Sequence, residues 1–139
     1  MIYKATREIE KAIKADELHY EIDETEHTSV VSVGFDGKVA KNLTVRFISR
    51  DDDNDFSVRC FSIANTPEEK MDVVLKAVNE ANDQYRYAKF VVDEDGDINA
   101  EYDFPVAGDN IGDSATELLV RFVDIIDKCY PKFMSAIWG

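Results

Sequence analysis

The chain has 139 residues, 45% of them hydrophobic, enough for one domain over residues 1–139 that buries roughly two thirds of its unfolded surface without disulfide or metal staples. Its 29 acidic and 16 basic residues set a formal charge of −13 and a pI near 4.4. That balance argues against a nucleic-acid binder that neutralises phosphates and against an anionic membrane surface, while mimicry of DNA by an acidic surface stays open.

In chain order, the first predicted element is a short amphipathic helix over residues 2–15. Ile2, Ala5, Ile9, Ala12 and Ile13 share one side, and Lys4, Arg7, Lys11 and Lys14 lie elsewhere. It is the locally positive segment of a negative chain, either a solvated face or a docking surface for an acidic partner. No apolar signal core or bilayer-length apolar stretch is visible, and Cys60 and Cys129 lack metal-like spacing. The expectation is a cytoplasmic protein with reduced, core-packed thiols rather than a disulfide.

Strands are expected over residues 18–22, 29–35, 43–48 and 56–63, from alternation and β-branched content, with Asp36-Gly37 as a turn. Between the last two, the acidic run Asp51, Asp52, Asp53, Asn54, Asp55 forms a hairpin tip whose like charges repel unless solvated or occupied by a cation.

A second helix is signed at its start by Thr66, Pro67 and Glu69, the spacing of a capping box. Met71, Val74, Leu75, Val78, Asn82 and Tyr85 recur at helical spacing and predict the buried stripe. Asn82 falls inside it. A buried amide without partners costs roughly 1–3 kcal/mol, so Asn82 is expected to pin the helix end to strand backbone, with a ligand contact as the alternative. Asn79, on the flank, either joins that polar network or faces solvent.

Strands over 87–92 and 98–104 form a second hairpin around Asp93-Glu94-Asp95-Gly96-Asp97. The alternating aspartates suggest calcium, but an EF-hand needs glycine sixth and glutamate twelfth, where this loop has Gly96 fourth and Phe104 twelfth. A β-turn at Asp95-Gly96 is the simpler reading. The last helix is expected to open on a capping box of Ser114 and Glu117 and to break or kink near Lys128, because Pro131 lacks a backbone donor. Its apolar residues exceed one stripe. Phe133, Met134, Ile137 and Trp138 are therefore candidates for a partner or homodimer surface, or for extra core coverage.

The order of helix, four strands, helix with Val78-Asn79-Glu80-Ala81-Asn82, hairpin with Phe90-Val91-Val92-Asp93, and apolar terminal helix resembles the bacterial YbjN-type domain. Those domains are described as sensory transduction regulators and are similar in fold to class I type III secretion chaperones. The resemblance implies an α+β fold of order α-β-β-β-β-α-β-β-α with an antiparallel sheet, often paired into dimers, without an established catalytic residue.

Catalysis finds little support in the residues themselves. His19 and His27 lie in or beside strands without an evident Ser or Cys partner, and Gly34, Gly37, Gly96, Gly108 and Gly112 are scattered rather than gathered in a phosphate loop. No catalytic residue, cofactor or metal is expected. The leading expectation is a cytoplasmic regulatory module that binds a protein or peptide. A cation or small-ligand sensor using the acidic tips comes second, and a DNA-mimicking inhibitor or small enzyme third.

Overall fold

The computed structural model describes residues 1–50, 55–105 and 110–139. The elements are α1 (Lys4–Ala15), β1 (Tyr20–Glu24), β2 (Thr28–Phe35), β3 (Leu43–Arg50), β4 (Asp55–Asn65), a 3₁₀ turn (Glu68–Lys70), α2 (Met71–Gln84), β5 (Lys89–Val92), β6 (Asp97–Pro105) and α3 (Ile111–Trp138). This is an α+β fold in the expected element order. The strands form one antiparallel sheet in the order β1-β2-β3-β4-β6-β5.

Period-two alternation places Val31, Val33, Val45, Phe47, Phe56, Val58, Phe90, Ile98 and Ala100 on one face, all buried. The helices cover that face. From α1 come Ala5, Ile9 and Ile13, from α2 Val74, Val78 and Ala81, and from α3 Leu119, Phe122, Ile126, Phe133 and Ile137. Each large side chain fully buried in this way contributes roughly 1.5–3 kcal/mol.

Four local expectations differ from the structure. Thr66 does not cap α2. Its N–H donates to the Gly96 carbonyl at 2.7 Å, tying it to the β5–β6 turn, its hydroxyl is buried without a partner among the described residues, and a 3₁₀ turn intervenes. Leu75 is exposed, and Ala81 takes its place in the buried stripe, because α2 touches the core along a narrower line than the apolar pattern suggests.

Ser114 lies inside α3, which begins at Ile111. The earlier start lets Ile111 bury itself and brings Gly112 against α1, where a Cβ would stand 2.8 Å from the Glu8 carbonyl oxygen. Pro131 does not end α3, which runs unbroken to Trp138. An interior proline costs about 3 kcal/mol or more, and continued burial of Phe133, Ala136 and Ile137 beyond it offsets that cost.

Candidate functional site

The terminal quartet separates. Phe133 is fully buried, edge-to-face with Phe90 at a centroid distance of 5.0 Å, and Ile137 is buried beside it. Both belong to the core, which for these two residues is the core-coverage alternative, because the sheet is wide enough to absorb more of α3 than one stripe. Met134 is half-buried, and Trp138 is 79% exposed.

Asn82 sits near the end of α2. Its side-chain amide donates to the Phe90 carbonyl at 3.0 Å, and its Oδ1 accepts the Phe90 N–H at 2.7 Å. Lys89 Nζ reinforces the junction by donating to the carbonyls of Asn82 and Tyr85 at 2.7 and 2.6 Å. Asn79 is exposed to solvent.

The acidic turn uses its own carboxylates. Asp93 Oδ1 accepts the N–H groups of Asp95 and Asp97, and Oδ2 accepts Asn99 Nδ2–H, all at 3.0 Å. The Asn99 hydrogen bond leads in holding the Asp93 carboxyl below its ordinary range. Asp97 accepts from Asn65 and Ser62. Among the described residues, no group of three or more His, Cys, Asp or Glu is placed to hold a metal ion. In the other acidic tip, residues 51–54 lie outside the described residues.

Cys60 and Cys129 are buried free thiols, each pushed up to about 11 by desolvation. No helix among the described residues is long and apolar enough to cross a membrane.

The sheet face away from the helices is left uncovered by them, with Glu21, Asp23, Gly34, Thr44 and Lys89 exposed on it. Strand register draws one row across all six strands: Glu21, Ser32, Arg46, Arg59, Glu101 and Lys89. Arg46 and Arg59 stand directly opposite each other. Like charges so placed repel, and the two turn apart. Arg59 reaches Asp103 at 2.8 Å and Glu101 at 3.8 Å, and this guanidinium leads in holding Asp103 below its ordinary range. Arg46 donates to Ser32 Oγ at 3.1 Å and Arg50 to Ser57 Oγ at 2.8 Å, so their stems lie over the strands.

At one end of this face, Gly34, Phe35, Asp36, Asn42, Leu43 and Thr44 line an open concavity of about 360 Å³. A Cβ on Gly34 would meet nothing within 4 Å. Behind that end, Asp127 of α3 holds the β2–β3 loop by accepting the N–H groups of Lys38, Val39 and Ala40 at 3.1, 2.9 and 2.9 Å.

Sequence alternation shows Arg46 and Arg59 at outward positions, but only the strand register shows them facing one another. The Asp127 clamp spans almost ninety positions of sequence and has no local signal.

The chain matches the YbjN family model, described as "Putative bacterial sensory transduction regulator", over residues 6–134. No curated protein matches it.

Proposed function

The chain belongs to the YbjN family, whose model spans residues 6–134, and on that premise we propose that it is a non-catalytic, cytoplasmic regulatory module that binds a protein partner in a chaperone-like or adaptor-like way. The uncovered sheet face carries this reading. It offers half-buried aliphatic residues, Val30 and Ile48, among arginines, hydroxyls and carboxylates held in fixed register. Mixed apolar and charged surfaces with arginine near the centre suit protein recognition.

The proposal includes a fold relationship to type III secretion chaperones and a homodimer. Its contact is assigned to Trp138 with Met134, the members of the terminal quartet that reach the surface. Tagged protein incubated with source cytosol, followed by mass spectrometry, tests the function. A stoichiometric partner held by the wild type and by Trp138→Glu, but lost by Gly34→Tyr, supports binding at the sheet. The same background from all three contradicts it.

A further inference from the structure

The two edges of the sheet are treated differently. Asp93 N–H donates to the Asp97 carbonyl at 3.0 Å, which makes that pair a hydrogen-bonded one in the β5–β6 register. By alternation, the backbone N–H and C=O of Phe90 point away from β6, to the outer edge of β5. Those are the groups that Asn82 engages. A single side-chain amide thus takes the place of a residue on a seventh strand and covers this edge at Phe90.

The opposite edge is β1. Thr25 N–H donates to the Thr28 carbonyl at 2.8 Å, so the β1–β2 register turns the backbone N–H and C=O of Tyr20, Ile22 and Glu24 outward. Among the described residues, no strand lies beyond β1. Tyr20 and Ile22 face the helix side, half-buried against the core, while Glu21 and Asp23 face the open side and are exposed.

We infer that β1 is a strand-addition site for an extended segment of another protein that alternates lysine or arginine with apolar residues. The basic side chains fall beside Glu21 and Asp23, and the apolar ones complete the cover over Tyr20 and Ile22. Main-chain bonds supply affinity and the alternating side chains supply selection. A second copy is the wrong occupant, since antiparallel pairing about Ile22 sets Glu21 of one copy beside Asp23 of the other. The inference adds a second contact, at the sheet edge, to the proposed binding across the open face, and it rests on that protein-binding reading.

The test uses the full chain with two synthetic strand-forming peptides, one alternating lysine with valine and threonine, the other with glutamate in place of lysine. Amide NMR and hydrogen exchange report where they bind. The lysine peptide is expected to protect the Ile22 amide and to bind more weakly as salt rises. Ile22→Pro removes the outward N–H without touching the β1–β2 ladder and is expected to weaken binding at least about tenfold. The double variant Glu21→Lys, Asp23→Lys keeps the backbone donor and is expected to switch preference to the glutamate peptide. Equal binding to wild type and Ile22→Pro, perturbation centred on Arg46 and Arg59 instead, or no binding at about 1 mM overturns the inference. A cytosolic partner that binds Ile22→Pro as it binds the wild type overturns the edge assignment and leaves the proposed function standing. Protection of Ile22 by the lysine peptide, with no cytosolic partner recovered, supports the edge and counts against the wider function.

Discussion

Arg46 and Arg59 occupy opposite positions on β3 and β4 and turn to different partners, Arg46 to the Ser32 hydroxyl and Arg59 to the carboxylates of Glu101 and Asp103. The pair is poorly explained by stability alone, because a facing neutral residue would remove the repulsion. Arg46→Met keeps a long stem over the strand and removes one charge. Its unfolding free energy in urea is expected to stay within about 0.5 kcal/mol of wild type or to rise, while partner capture falls. A large loss of stability would assign Arg46 to the fold instead.

Asn82 and Phe90 predict a different outcome. Asn82→Asp keeps an acceptor for the Phe90 N–H but sets a carboxylate against the Phe90 carbonyl. A loss of about 1–3 kcal/mol in chemical denaturation is expected, with faster exchange at the Phe90 amide. Unchanged exchange there would mean that α2 does not close the β5 edge through this side chain.

Phe133 belongs to the core. Phe133→Ala removes the ring packed on Phe90 and is expected to cost about 3–5 kcal/mol in denaturant melts. A variant that retains wild-type stability would return Phe133 to the list of surface residues.

Asp127 gives a pH dependence of defined sign. Backbone hydrogen bonds from Ala40 and then Val39 lead in holding its carboxyl below the ordinary range. Its folded pKa is therefore lower than its unfolded value of about 3.9. Its stabilisation is present above that unfolded value and is lost as pH falls through the folded one. Near neutral pH, Asp127→Asn is expected to melt lower than wild type and to exchange faster at Lys38, Val39 and Ala40. The two melting curves should converge in acid, and a difference that persists there would assign the loss to packing rather than charge.

Much of this architecture is legible in the sequence, because alternation and helical periodicity record which face of each element is wet. Asn82 stands out in the sequence as a polar residue inside an apolar stripe, and its two hydrogen bonds to Phe90 tie the end of α2 to β5. Local capping and proline rules mislead where long-range packing outweighs them: Ser114 lies within a helix extended to bury Ile111, and Pro131 is carried through by Phe133 and Ile137. The candidate site depends on pairs distant in sequence. Neither the Arg46–Arg59 register nor the unequal sheet edges have a local signature.

Binding at the sheet is tested most directly by the affinity of a captured partner for wild type and Gly34→Tyr, measured by titration calorimetry. Gly34 lies on the open face with room for a side chain, and tyrosine suits a strand, so the variant should fold and melt like wild type. The account predicts at least about tenfold weaker binding, a loss of about 1.4 kcal/mol, for the folded variant. Equal affinity for the two proteins would contradict it.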